Sequence, residues 1–315
     1  MKIALCFNGL PRLVNQCYKD ISEYFITNTR SKGSTIDIYG HFWYDESHNG
    51  EVNRLHVPEK YPIDENPVEI FNKLYNTPSS NVIYEDCPVG FDSNLYRIQG
   101  YNTEDIKNDD LYSKIMASFL LYGLWSRFLS ATKVLELMDK INQDKSDYDL
   151  VIISRTDLLT FNKGQYFLDE ISNLNFTDTI YFPSTLEGGT KYAGEHPNRL
   201  GDWLFMGTPN NIKKYCNTII SSLCTSLPSQ SICPLHNTER LLYWATLANI
   251  KLDKFNSTIS IRRFPTEEWE NPEYRASRMI SPKFYTDNFD TTKGCYNTNA
   301  RDLLPFYTNN IKFIQ

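Results

Sequence analysis

The chain of 315 residues lacks most of the short signatures that announce a particular chemistry. It has no GxGxxG and no GxxxxGK[ST] loop, so neither common glycine-rich phosphate cradle is written in it. HExxH, GxSxG and any Cys/His nucleophile pattern are missing as well. The seven cysteines, Cys6, Cys17, Cys87, Cys216, Cys224, Cys233 and Cys295, are odd in number and form no CxxC pair. That argues against a zinc site and against a secreted disulfide framework, and for free thiols in a reducing, cytoplasmic compartment. The sequons at Asn175 and Asn256 are then incidental. No apolar run approaches the ~20 residues of a membrane-spanning helix. The short run Ile3 to Phe7 is cut off by Asn8, Gly9 and Pro11 before it reaches signal-peptide length. Membrane contact is expected to be peripheral at most. Positive charge is also in deficit. A formal net charge of −6 argues against a general nucleic-acid binder, which needs a basic surface to displace counterions from phosphates. A small basic pocket for one phosphorylated ligand stays compatible with that charge.

What is present reads as an α/β protein. Lys2 to Phe7 is a buried strand that ends in the turn-forming loop Asn8 to Arg12. Val14, Cys17, Tyr18, Ile21 and Phe25 then recur at helical spacing, and Thr35 to Phe42 forms a second strand. Strand, loop, helix and strand in this order open a βαβ unit and predict a parallel sheet. Asp45 to Asp110 reads as irregular apart from a short strand near Asn81 to Tyr84. Leu111 to Lys140 is strongly helical, as one long helix or as two that meet near Gly123. Leu150 to Ile153 is a continuous apolar run that suits a strand covered on both faces. Further strands are expected at Thr179 to Phe182, Trp203 to Met206 and Thr258 to Phe264. Ser184 to Gly201 reads as a mobile loop. Thr208 and Pro209 supply an N-cap and a first helical position, with Ile212, Cys216, Ile219 and Leu223 as the buried stripe. Another helix follows over Thr238 to Ala248, with Leu241, Trp244, Ala245 and Ala248 inward.

In open α/β sheets ligands bind beyond the carboxyl ends of the strands. That rule selects Asn8 to Arg12, His41 to Trp43 and Ser154 to Asp157. At the last tip, Asp157 has the oxygen chemistry to hold Mg²⁺ or Mn²⁺ against phosphate, and Arg155 has the fork to bind a phosphate directly. An internal Arg155–Asp157 ion pair, or an Asp capping the next turn, accounts for the same residues equally well. Gly9 and Arg12 fit a phosphate loop, or a turn glycine beside a solvated arginine. Trp43 is a base-stacking or a core residue. Asp202 is a general base or a turn residue. Glu239 lies in the first turn of a helix, where the dipole favours a carboxylate in any case, and His236 stands near it.

Three segments together resemble a little-characterised group of GT-A-fold glycosyltransferases of bacteria and large DNA viruses, often encoded near polysaccharide genes. They are Lys2-Ile3-Ala4-Leu5-Cys6-Phe7-Asn8-Gly9-Leu10-Pro11-Arg12, Asp37-Ile38-Tyr39-Gly40-His41-Phe42-Trp43, and Tyr148-Asp149-Leu150-Val151-Ile152-Ile153-Ser154-Arg155-Thr156-Asp157-Leu158. Gly201-Asp202-Trp203-Leu204-Phe205-Met206-Gly207-Thr208-Pro209 and Asn237-Thr238-Glu239 are similar to the acceptor half of that group. The resemblance implies one GT-A-like, Rossmann-like domain, an α/β fold with a mixed, mostly parallel central sheet flanked by helices. It would span residues 1–265, with a donor half at about 1–160 and an acceptor half at about 161–265, and residues 266–315 as an extension packed on it. The implied activity is transfer of a hexosyl or pentosyl group from a nucleotide-diphosphate-sugar donor to a hydroxyl of a glycan or glycoconjugate acceptor. The group's DxD motif, which holds a divalent metal such as Mn²⁺ or Mg²⁺, falls on Arg155-Thr156-Asp157. Here an arginine replaces the first acid and leaves Asp157 as the metal-binding position. Asn8, Gly9, Arg12, Trp43, Arg155 and Asp157 would serve the donor, and Asp202 and Glu239 the catalytic acceptor side. Another nucleotide-dependent transferase, or a non-catalytic glycan-binding or scaffold protein on the same fold, are the alternative readings.

Overall fold

The computed structural model describes residues 1–44, 52–53, 60–61, 65–85, 126–143, 147–160, 166–183, 203–225, 241, 244–255, 259–261, 289–290 and 295–296. The seven strands of its main sheet are β1 (Lys2–Gly9), β2 (Thr35–Trp43), β3 (Val82–Glu85), β4 (Leu150–Ser154), β5 (Thr179–Pro183), β6 (Leu204–Gly207) and β7 (Lys251–Phe255). Their order across the sheet is β3-β2-β1-β4-β6-β5-β7. β1 pairs in parallel with β2 and with β4, β2 with β3, and β5 with β7. Only β6 runs against its neighbours, pairing antiparallel with β4 and β5. The mixed, mostly parallel sheet with flanking helices expected from the sequence is therefore present.

Side-chain alternation divides the apolar residues between two cores. Ile3, Leu5 and Phe7 of β1 face one side with Ile152 of β4, and pack under α1 (Val14–Ile21), α2 (Pro67–Tyr75) and α4 (Phe167–Ile171). Ala4, Cys6 and Ile153 face the other side, under α3 (126–141), α5 (Pro209–Thr225) and the helical residues at 244–247. Both faces of the central strands are covered, as their unbroken apolar runs require. α1 continues through a π-helical segment, Ser22–Thr27, into Asn28–Ser31.

Several local expectations hold. The Asn211 amide donates to Thr208 Oγ1 at 3.4 Å, so Thr208 caps α5. Ile212, Cys216 and Ile219 are buried along that helix, as are Leu241, Trp244, Ala245 and Ala248 further on. Cys6, Cys17 and Cys216 are buried free thiols, and burial pushes Cys6 and Cys216 far above the ordinary thiol range.

Other expectations are corrected. The segment read as irregular contains α2, whose Pro67, Phe71 and Tyr75 form a one-residue-wide buried stripe easily lost among polar neighbours. α4 was not expected, because five residues are too few to show a period. The late strand is described at Ile259–Ile261, the rest of Thr258 to Phe264 lying outside the described residues, and it pairs antiparallel with Leu158–Thr160 outside the main sheet. One edge of the main sheet is β7, whose charged sequence Lys-Leu-Asp-Lys-Phe hides a strand; charge on an edge blocks pairing with other chains. The first part of the long helical segment, including Gly123, and the loop Ser184 to Gly201 lie outside the described residues. Among the described residues no helix is long and apolar enough to cross a membrane.

Ile152 is fully buried, in β4 between Leu5 of β1 and Met206 of β6. Ile152→Ala should lower the unfolding free energy by about 2–5 kcal/mol in urea titrations, through lost transfer energy and the cavity left behind. Ile83→Ala, on the exposed edge strand β3, should cost less than about 0.5 kcal/mol.

Candidate active site

The chain leaves β1 toward β2 and β3, then returns to place β4 on the other side of β1. Strand order reverses there, the kind of point at which open α/β sheets bind ligands in a crevice, and the chain leaving β1 into α1 and the chain leaving β4 through Leu158 to α4 continue on the same face. Asn8 to Arg12 forms one wall and Ser154 to Asp157 the other. The Thr156 hydroxyl donates to the Arg12 carbonyl at 2.8 Å and fastens the two walls together. The loop after β1 is held in an uncommon backbone shape. Gly9 has φ 93°, open only to glycine at low cost, and Leu13 has φ 50°, rare for a branched side chain. A Cβ on Gly9 would meet nothing within 4 Å, so open space adjoins the loop.

Arg12 is buried, only 5 % exposed, which removes the solvated-arginine reading. α1 starts directly after this loop, with no side-chain cap and no acidic residue in its first turn, so its positive end is not neutralised from within. Across the crevice, Arg155 Nε donates to Asp157 Oδ1 at 2.7 Å and Arg155 Nη2 donates to Asp157 Oδ2. Their side chains are 19 % and 4 % exposed, so the guanidinium lies on the solvent side of its carboxylate. The Arg155 amide also donates to the Trp203 carbonyl at 3.2 Å. Because β6 is antiparallel, its entry and not its exit lies at this edge. Asp202, the chain neighbour of Trp203, is outside the described residues, as are His236 and Glu239.

On the opposite face of β1, a second polar group supports the loop from behind. The Gly9 amide donates to Ser130 Oγ at 2.8 Å. Ser130 Oγ lies 2.7 Å from His41 Nδ1, and His41 Nε2 lies 3.0 Å from Glu85 Oε1. Burial lowers the His41 pKa to about 4, despite its hydrogen bond to Glu85, so the ring is neutral near pH 7. Burial pushes the Glu85 carboxyl up, but hydrogen bonds from Lys133 and His41 outweigh it and hold it below its ordinary value. Glu85 only accepts, so the His41 proton sits on Nε2; the one Ser130 hydroxyl proton then has two acceptors, His41 Nδ1 and, at 3.1 Å, the His41 carbonyl, and the Ser130 oxygen accepts from Gly9. Asn8 Nδ2 donates to the Arg127 carbonyl at 2.9 Å. Asn8 Oδ1 and Trp203 Nε1 are buried with no hydrogen-bond partner among the described residues. Trp43 is placed as a core residue: Nε1 donates to the Ser126 carbonyl at 3.0 Å, and the ring packs edge-to-face on His41 at 4.5 Å.

Sequence reading missed Ser130, His41, Glu85 and Lys133 as a unit. One signal was available. Ser126, Ser130 and Lys133 recur at helical spacing, a polar stripe on a helix whose Phe128, Ala131, Val134, Leu135 and Met138 are buried.

The donor set for a divalent cation does not fit. Asp157 has both oxygens on Arg155, and the described tips of β1, β4 and β6 carry no second carboxylate. Nor do the described residues gather any group of three or more His, Cys, Asp or Glu side chains suited to a metal ion.

No sequence-family model matches the chain, and no curated protein sequence matches it. Among solved structures, a mutant of β-1,4-galactosyltransferase 7 from Drosophila, with manganese, UDP-Gal and xylobiose, has 11 % identity and a TM-score of 0.33, over 82 % of this chain and 70 % of its own. The glycosyltransferase GlyE of Streptococcus pneumoniae has 11 % identity and a TM-score of 0.35, over 91 % of this chain and half, 50 %, of its own. The galactosyltransferase LgtC, with donor and acceptor sugar analogues, has 10 % identity and a TM-score of 0.32, over 100 % of this chain and 98 % of its own. The α/β fold is assigned here from the sheet's own order and directions.

The unfolded chain takes up a proton on His41 below about pH 6.5, which the folded protein refuses until about pH 4. Stability measured by urea unfolding should therefore fall as pH drops through that window, by on the order of 3 kcal/mol from this group. His41→Gln should flatten that slope.

Proposed function

We propose that the protein is a glycosyltransferase that moves a hexosyl or pentosyl group from a nucleotide-diphosphate-sugar to a hydroxyl of a glycan or glycoconjugate. The observation that carries this reading is the meeting of two arginine-bearing strand tips, locked by Thr156 and the Arg12 carbonyl, at the switch point of the sheet. Ligand binding at such a point is the rule for open α/β sheets. The sequence resemblance supports a nucleotide-sugar as the ligand. In this reading Asn8, Gly9, Arg12, Arg155 and Asp157 form the donor side, with Trp43 behind them in the core. A cytoplasmic role in polysaccharide assembly, without nucleic acid as partner, accompanies it.

The chemistry is a displacement at the anomeric carbon. The bond from that carbon to the diphosphate oxygen breaks, and its electron pair leaves with the diphosphate. A new bond forms to the acceptor oxygen, whose proton passes to a base. Charge develops on the leaving diphosphate, and cationic groups already in place stabilise it most where water is excluded. Arg12 and Arg155 supply those charges. Asp202, next to Trp203 in the sequence, is the proposed base for an inverting reaction. Glu239 is proposed on the acceptor side. For a retaining reaction, Asp202 serves binding instead.

One observation favours the non-catalytic reading. The Arg155–Asp157 pair satisfies itself, as it would in a site that has lost its ligand. Thermal unfolding with UDP-, GDP- and dTDP-sugars decides between the two. A ligand that binds only the folded state at about a hundred times its Kd adds about 2.7 kcal/mol of stability, a clear rise in Tm. The transferase should show this rise with at least one donor, with slow donor hydrolysis. Asp202→Asn should keep the rise and lose about 10²–10⁴-fold in turnover. No rise with any nucleotide sugar would leave the scaffold reading.

A further inference from the structure

We propose that Arg155-Thr156-Asp157 is a metal-independent diphosphate clamp, in which Arg155 takes the place of the cation and Asp157 is a positioning residue. This deepens the transferase reading and rests on it. A divalent cation needs carboxylate oxygens turned toward it at about 2.0–2.6 Å. Asp157 turns both of its oxygens to the Nε and Nη2 edge of Arg155 instead. A cation seated on the same carboxylate would stand against a guanidinium of like charge.

The geometry suits an anion better. A bidentate carboxylate fixes the plane of the guanidinium, and the edge of the fork bearing Nη1 then points away from Asp157. Planar, fixed donors match phosphate oxygens at a smaller entropy cost than a flexible ammonium. Arg155 is also the more exposed partner of the pair, so an incoming ligand meets the cation first and the acid lies behind it. Thr156 between them spends its hydroxyl on the Arg12 carbonyl, which holds the tip against the β1 loop. Arg12, whose carbonyl accepts from Thr156, brings a second, buried arginine to the same pair of tips. The positive end of α1, uncapped by side chain and free of acids in its first turn, adds partial positive charge. A nucleoside diphosphate brings negative charge to that spot without needing a cation as escort.

The test is calorimetric titration of the full-length protein with UDP, GDP, dTDP and inorganic pyrophosphate, once with EDTA and once with Mn²⁺. The inference expects the diphosphate that binds to show Kd values within about twofold in the two conditions. Arg155→Ala should weaken binding by about tenfold or more, and Arg155→Lys should recover only part of that, because it supplies charge without the fork. Asp157→Asn keeps the shape but only one acceptor oxygen for the fork, so it should weaken binding several-fold in EDTA, less than Arg155→Ala does, and by the same factor in Mn²⁺. Circular dichroism reports whether each variant is folded. The wild-type comparison needs no variant, so a misfolded Arg155→Ala leaves the decision with it. Binding only in Mn²⁺ overturns the inference while the transferase reading stands. Weakening by folded Asp157→Asn that is seen only in Mn²⁺ also overturns it and returns Asp157 to metal ligation. Failure of every diphosphate in both conditions overturns the transferase reading itself, and the clamp with it.

Discussion

Strand β1 has parallel neighbours on both sides, and everything proposed for this protein depends on that placement. A strand with β2 on one edge and β4 on the other has no free edge, and apolar layers close both of its faces. Its carboxyl end is the first point at which the chain can expose polar groups. The tips of two adjacent parallel strands meet where strand order reverses, and such a point is where open α/β sheets bind ligands, so the place of the site is a consequence of topology. What the particular sequence adds is the content of that site: a glycine with positive φ, a buried arginine, and an arginine paired with an acid.

The β1 loop is fixed from two sides by hydrogen bonds that serve different ends. On the α1 side the Thr156 hydroxyl holds the Arg12 carbonyl; on the α3 side Ser130 takes the Gly9 amide and is itself held by a neutral His41. Each bond is worth only about 1 kcal/mol net. Their value lies in what they constrain, since a loop with Gly9 and Leu13 both at positive φ would otherwise sample many shapes. The neutrality of His41 matters for the same reason. A protonated ring could not accept from Ser130, whose hydroxyl proton would then pass wholly to the His41 carbonyl while the buried ring carried a charge. Fold stability and loop shape are thus coupled through one buried imidazole.

Much of the fold was legible because its central strands are buried on both faces, and such strands leave continuous β-branched runs that stop abruptly at polar tips. The βαβ opening, the Thr208 cap and the inward Trp244 could be read for the same local reason: their signal lies within a few residues. β7 was not legible, because an edge strand alternates charge with apolar residues and resembles a loop. The reversed direction of β6 was beyond local pattern, since Leu204 to Gly207 is apolar whichever way it runs. In the crevice, Gly9, Arg12, Arg155 and Asp157 stood out as polar stops after apolar runs. The Ser130–His41–Glu85 chain did not, because its members come from α3, β2 and β3 and meet only when the sheet is assembled.

The Arg155–Asp157 pair is the least economical feature of the sheet, and that bears on its role. Removing two charges from water costs several kcal/mol each, and their attraction offsets this only in part; apolar residues of similar size often do as well or better. A strand tip next to Trp203, Leu158 and Phe7 offers apolar neighbours enough to have taken that route. Stability alone therefore does not account for an arginine held by both of its carboxylate's oxygens at the mouth of the switch-point crevice. A fixed cation with one edge of its fork turned from its partner does account for it. Such a group is organised before any ligand arrives, and a preorganised charge stabilises a leaving diphosphate without the reorganisation that water or a mobile lysine would require. The same pair that a stability argument treats as a burden is what an anion-binding argument needs.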